Sequence, residues 1–438
     1  MKRTLTGMVV LFAGLCVAAV ALSGCGGGST NNTPPTLQSV DPVLQWNRIL
    51  LGIVRAPAVP GDQPATVHPT HSFAIMHAAI YDAVNAVDQS HFTYLVDLPS
   101  PKASAPAAAA AAAHDTLVAL YPSQKQMLDA TLVQSLAQIP DTPGKNQGIS
   151  VGQEVAKLIL ALRTNDGSGA TPPPYTPGTQ PGDYQLTPPK FTQPVFTHWS
   201  LVKPFALTSA NQFRPGPRPD LTSAEYMAAY QETMSLGAKD SATRTADQTQ
   251  IARFWSGKIQ NYWNEIAQTA AVAHNNTLAQ NARLFALLNL TLADDAIAFY
   301  DAKYTYAFWR PVTAIRAGDT DNNPNTIGDP NWTPLADTPL DPSYPGAHSV
   351  ISTSAATVLA SFFGSDNFSY AVTSEVLPGV QRSFTSFSGA AEEAGLSRIY
   401  IGHHFRTDHN AGQELGRNVG AYVVQSFLTP TRSALGSQ

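Results

Sequence analysis

Five side chains in the C-terminal part of this chain have the types and spacing needed to grip a tetrahedral oxyanion. Lys303 and Arg310 lie in the segment Lys303-Tyr304-Thr305-Tyr306-Ala307-Phe308-Trp309-Arg310-Pro311, and His348 lies in Pro345-Gly346-Ala347-His348-Ser349. Arg398 follows Ser397, with His404 and Asp408 behind it. An oxyanion such as phosphate or vanadate, at the trigonal bipyramid, presents three equatorial oxygens and two apical positions. Lys303, Arg310 and Arg398 would face the equatorial oxygens, the arginines through a planar donor fork and the lysine as a point charge. His404 would be bonded to the central element, with His348 as the acid/base on the opposite side. Asp408, four residues after His404, would orient that imidazole from behind through a hydrogen bond.

Each residue also has a plain structural reading. Taken singly, Lys303 or Arg310 is a solvated helix charge or half of an ion pair, and His348 a histidine at a helix cap. His403 and His409 read as structural or rim residues, as do His71 and His77 inside an apolar helix. A zinc site from His403, His404, Asp408 and His409 fits poorly, because adjacent histidines diverge and no ligand spacing for a tetrahedral set is present. Tyr304, Tyr306, Phe308 and Trp309 read mainly as core, with Trp309 a second choice as a pocket wall.

The elements that must position these groups are helical. His71 to Val84 is apolar nearly all round, the mark of a buried helix. Ala103 to Leu120 is alanine-rich, and Gln124 to Leu136, Gly148 to Leu162, Ser223 to Leu236, Ala242 to Trp255 and Tyr262 to Ala273 continue the periodicity. Ala279 to Arg310 is a long helical stretch in which Lys303 and Arg310, seven apart, fall on one face, although Pro311 disfavours helix at Arg310 itself. The Pro/Asn-rich run from Asp319 to Pro345 is a loop returning the chain to the site. Gly346 to Phe363 is helical again, with His348 in the first turn, where free amides attract anions. Gly402 supplies the bend between Arg398 and His404, and Asp408 to Phe427 is a last helix. Alternating strand patterns are scarce. The fold class is therefore all-α, a bundle of helices packed on helices.

The N-terminus belongs outside that fold. Lys2 and Arg3, the apolar run Met8 to Leu22 and Leu22-Ser23-Gly24-Cys25 read as a lipoprotein signal peptide over residues 1–25 with acylation at Cys25. Residues 26–40 form a Gly/Ser/Pro tether, and residues 41–430 a single domain with its anion-site half at about 279–428. The expected location is extracytoplasmic, on a bacterial membrane through the lipid alone, since no later segment is long and apolar enough to span one. Cys16 lies in the signal and Cys25 carries the lipid, so the mature domain has no thiol. A net charge of −5 and the lack of any basic run exclude nucleic acid as a partner.

The three charged segments resemble the vanadium-dependent haloperoxidases and the type 2 phosphatidic acid phosphatases, which share one anion site. That superfamily carries Lys separated by six residues from Arg-Pro, then Pro-Ser-Gly-His, then Ser-Arg separated by five residues from His. This chain has Lys303 with Arg310-Pro311, Pro345-Gly346-Ala347-His348, and Ser397-Arg398 with His404. The flanks Phe308 to Arg316 and Arg382 to Phe387 resemble the bacterial haloperoxidase-like branch. Gly346 stands where the family has Ser and Ala347 where it has Gly, which removes one hydroxyl donor to an equatorial oxygen. The backbone amide at Ala347 can still donate, so anion binding is expected to be weakened and not abolished.

The resemblance implies vanadate as cofactor, held by Lys303, Arg310, Gly346, Ala347 and Arg398 and bonded to His404. Hydrogen peroxide and a halide would be the substrates, with His348 moving protons, and two copies could pair as a homodimer. Two alternatives share the residues. In an acid phosphatase, His404 attacks a phosphate ester to form a phosphohistidine and His348 protonates the leaving oxygen. In the other, the chain is a non-catalytic anion-binding lipoprotein.

Overall fold

Asp41 opens the described chain as a helix cap, its Oδ1 accepting from the amides of Val43 and Leu44 at 2.8 and 3.2 Å. The computed structural model describes residues 41–64 and 67–431; the signal, Cys25 and the tether lie outside the described residues. From that cap run α1 (Pro42–Arg55), α2 (His68–Asp88), α3 (Ala105–Leu120), α4 (Lys125–Ala137) and α5 (Pro143–Arg163). The second half holds α6 (Ala224–Leu236), α7 (Ala246–Phe254), α8 (Ile259–Ala273), α9 (Leu278–Tyr306) and α10 (Pro311–Arg316). It ends with α11 (Ala347–Phe363), the antiparallel hairpin β1 (Asn367–Thr373) and β2 (Gln381–Ser386), then α12 (Phe387–Tyr400) and α13 (Arg406–Ser426). The architecture is all-α, as expected, apart from that hairpin. No helix among the described residues is long and apolar enough to cross a membrane.

α9 is the axis of the bundle. Thr277 caps it in a reciprocal box with Gln280, and its apolar residues from Leu284 to Ala302 are almost all fully buried. Each such Leu, Ile or Phe contributes about 1.5–3 kcal/mol by leaving water. α2 and α11 flank it, and α13 packs on α11. The α11–α13 contact is close because α13 carries glycines at four-residue spacing. A Cβ at Gly412 or Gly416 would come within 2.7 Å of Gly346 O or 2.3 Å of Val350 O. The alanine run of α3 meets Gly148 and Gly152 of α5 in the same way. Close backbone approach fixes α11, and with it His348, against the helix that follows His404.

Three elements differ from the sequence expectation. α1, α12 and the hairpin were not anticipated: α1 carries helical spacing in Val43, Trp46, Leu50 and Val54 that the sequence reading passed over, whereas α12 and the hairpin have weak periodicity. Lys303 and Arg310 do not share a helix face. α9 stops at Tyr306, Ala307 turns left-handed with φ 42°, and Arg310 is extended (φ −82°, ψ 154°) as the cap of α10, whose first residue is Pro311. Proline at the first helical position disfavours helix in the residue before it. The Pro/Gly-rich excursion of residues 171–194 holds the intervening segment, with Tyr184 N donating to Ala307 O at 2.6 Å and Trp309 N to Gly182 O at 2.9 Å. A second aromatic core of Tyr226, Tyr230, Phe308, Trp309, Trp332, Tyr344 and Phe405 packs in this region. Trp309 is therefore core, 1% exposed, and not a pocket wall.

Candidate active site

Lys303 sits in the last turn of α9, fully buried. Its Nζ donates to Pro342 O and to Ser343 O (3.2 Å), and Asp341 Oδ1 lies 3.7 Å away. Arg310 uses its fork on the same loop: Nε donates to Asp341 O at 2.7 Å and Nη2 to the Asp341 carboxylate. Its Nη1 reaches the other side of the site, donating to His403 O at 2.8 Å and lying 3.1 Å from His404 Nε2. Lysine and arginine thus meet through the polar return loop, and the loop's Ser343 N is anchored on Phe308 O at 2.8 Å.

Arg398 comes from the end of α12. The chain then turns at Gly402, whose φ of +83° and 2.6 Å Cβ clearance from Gly237 O require glycine. That bend lets both His403 N and His404 N donate back to Arg398 O, at 2.9 and 3.2 Å. His403 Nε2 lies 3.1 Å from Ala336 O and must carry its proton there, so Nδ1 accepts from Arg398 Nη2 at 2.6 Å. The residue read as rim therefore orients Arg398. The guanidinium's Nε and Nη1 are buried and have no partner.

His404 is assigned by the same logic. Asp408 Oδ2, 3.1 Å from Nδ1, fixes the proton on Nδ1, so Nε2 carries the lone pair and accepts from Arg310 Nη1 at 3.1 Å. Asp408 is itself held by Ser343 Oγ at 2.5 Å and Phe405 N at 3.0 Å. His348, partly exposed in the first turn of α11, donates Nε2–H to Trp255 O at 3.0 Å, so its free acceptor is Nδ1. The other three histidines singled out in the sequence serve the frame. His409 bonds Ser349 Oγ (2.8 Å) and Glu392 (3.2 Å), His71 pairs with Asp166 (2.6 Å), and His77 bonds Asn47 (3.0 Å).

Burial, reinforced by Arg310, Lys303 and Arg398, holds His404 well below its ordinary pKa, so the imidazole is neutral at pH 7. Burial and Arg398 do the same to His348. Burial pushes Asp408 up to about 6 against the hydrogen bond from Ser343. Lys303 is pushed down to about 8 by burial and by Arg310, while Asp341 pulls it the other way. Burial and Arg310 push Arg398 down as well, to about 9, so Lys303 is the first of the site's cations to lose its charge as pH rises. An oxyanion favours protonated Lys303, so affinity should be full below pH 8 and fall above it. For sulfate, whose charge is constant there, Kd at pH 9 is expected about tenfold weaker than at pH 7. A flat titration between those values would remove Lys303 from the anion's contacts.

A tetrahedral oxyanion fits this donor set. Unpartnered buried donors cost free energy that an anion would recover, and Arg398 presents two beside a neutral imidazole lone pair. The N-terminus of α11 adds to the fit: Gly346 is its cap and offers no side chain, so the first-turn amides are not capped from within. Gly346 has φ −75° and ψ 111°, open to any residue, and a Cβ there would stand 3.3 Å from Asp408 O and Ser349 Oγ. Gly346→Ser is therefore expected to fold with a small local shift and to tighten oxyanion binding about tenfold, a hydrogen bond to a charged group less the repacking. Calorimetric titration checks it; unchanged affinity would place position 346 away from the anion.

Sequence reading missed Asp341, Ser343 and Trp255. Asp341 carried no signal, being an acid in a polar loop. Ser343 and Trp255 act through one hydroxyl and one carbonyl, which no residue pattern reveals.

Residues 283–432 match a family model described as the VCPO second helical-bundle domain. The vanadium chloroperoxidase of Curvularia inaequalis is 25% identical over 493 residues, spanning 85% of this chain and 80% of that protein. A crystal structure described as the first bacterial vanadium-dependent iodoperoxidase superposes with a TM-score of 0.75 at 26% identity, covering 90% of this chain and 97% of that one. A bacterial vanadium-dependent chloroperoxidase in its apo form shares the fold, with a TM-score of 0.66 at 16% identity over 85% of this chain and 96% of that one.

Proposed function

We propose that this chain, a member of the vanadium-dependent haloperoxidase and type 2 phosphatidic acid phosphatase superfamily, is a vanadate-dependent haloperoxidase that oxidises halide with hydrogen peroxide. The observation that carries the reading is Arg398, whose two buried donors are uncommitted, in the cluster where His404 Nε2 carries a lone pair met by Arg310 Nη1, a contact that bound vanadate would displace. Lys303, Arg310 and Arg398 would hold vanadate and balance its charge, with the amides of Ala347 and its neighbours at the α11 N-terminus. His404 Nε2 would bind the metal, and Asp408 would keep the imidazole in the tautomer that allows it. Bound vanadate supplies a Lewis acid that activates peroxide without a change of its own oxidation state. His348 Nδ1, neutral and unbonded, is suited to take the peroxide proton and return it to the leaving oxygen.

The phosphatase and the non-catalytic readings use the same residues but are not favoured, since the relatives with matching length are peroxidases. Export and lipid attachment at Cys25 belong to this reading on the strength of residues 1–25 alone, and pairing of two copies on the family resemblance alone. The test uses protein lacking residues 1–25, stripped of anions, with and without vanadate. Peroxide with iodide or bromide should give halogenation of a diketone reporter only with vanadate. Release of nitrophenol from p-nitrophenyl phosphate, inhibited by vanadate and without halide oxidation, would overturn the proposal in favour of a phosphatase.

A further inference from the structure

The cations of the site are not equivalent. Arg310 and Lys303 face Asp341, which is 7% exposed, takes Arg310 Nε on its carbonyl and Nη2 on its carboxylate, and lies 3.7 Å from Lys303 Nζ. Arg398 forms no ion pair among the described residues, feeling Asp341 only at longer range, and two of its nitrogens have no partner. One wall of the site thus carries its own anion while the other is left bare.

We propose that Asp341 is a built-in counter-anion that sets how tightly the site binds an oxyanion. Resting on the oxyanion reading of the site, this makes Asp341 a residue governing affinity, and not a ligand of the bound anion. The carboxylate keeps Lys303 and Arg310 charged and positioned in a buried setting where like charges would otherwise repel. The same negative charge opposes an incoming oxyanion through Arg310, so affinity is traded for a preorganised wall. It also makes the more highly charged oxyanions the more strongly opposed. Combined with the missing hydroxyl at Gly346, Asp341 gives a site built to exchange its anion more readily than three unopposed cations would allow.

Asp341→Asn removes the charge and keeps an oxygen to accept from Arg310 Nη2. Sulfate binding is measured by calorimetry at pH 6, where Lys303 is charged and His404 neutral. The variant is expected to bind sulfate at least about tenfold more tightly than the parent, and sulfate should raise its melting temperature further than the parent's. Asp341→Ala makes the same charge change by a second route should the amide variant not fold. Equal or weaker sulfate binding by the variant, with the parent binding normally, overturns the proposal and leaves the site reading standing. Failure of both proteins to bind sulfate overturns both.

Discussion

Alanine in place of His348 is expected to lower the rate of halide oxidation by about 10²–10⁴-fold, the usual contribution of a positioned acid/base. Vanadate affinity should stay within severalfold of the parent. The separation follows from geometry. His348 spends its Nε2–H on Trp255 O at 3.0 Å, so the Nδ1 lone pair is its remaining functional atom. Its depressed pKa keeps that lone pair free at neutral pH. The cations that neutralise the oxyanion come from other elements, α9, the segment before α10 and α12, and are untouched by the change. Steady-state kinetics beside a vanadate titration separates the two quantities. Turnover that survives would end the acid/base assignment, and a Kd that rises in step with the loss would make His348 a ligand.

Arg398→Ala should do the reverse. Two buried donors with no protein partner are lost, and charge-assisted bonds of this kind contribute about 1.5–3 kcal/mol each. The Kd for vanadate or sulfate should therefore rise by about 100-fold or more. Arg398→Lys should recover only part of that, because one ammonium cannot present a planar fork. His403 Nδ1 loses its 2.6 Å partner in the alanine variant, so melting temperature must be followed alongside. A Kd within threefold of the parent in a folded Arg398→Ala protein would mean the anion does not sit on this guanidinium.

How far the sequence was legible depends on what carried each feature. The cationic and imidazole residues were legible because their chemistry is uncommon and their spacing tight; Lys303, Arg310, Arg398, His404 and Asp408 are all brought to one place. Asp408 could be assigned to His404 because a carboxylate four residues on can reach back to an imidazole, here across the turn that opens α13, and Gly402 because a bend was needed there. The way Lys303 and Arg310 meet was not legible. Periodicity ran through Tyr306, but the left-handed turn at Ala307 and the pairing of Trp309 with Gly182 depend on a segment more than a hundred residues away. Asp341 and His403 were passed over for a related reason. Their roles come from tertiary neighbours, Arg310 and Arg398, and an acid beside Pro342 or a histidine beside another histidine has no local mark of that role.

The most direct measurement is a titration of the anion-stripped protein with orthovanadate, reading peroxide-dependent iodide oxidation at each addition. The account predicts no activity without vanadate and a saturating rise that ends at about one vanadate per chain, as a single site with one imidazole ligand requires. Activity independent of vanadate, or none at any concentration in a folded protein, would contradict it.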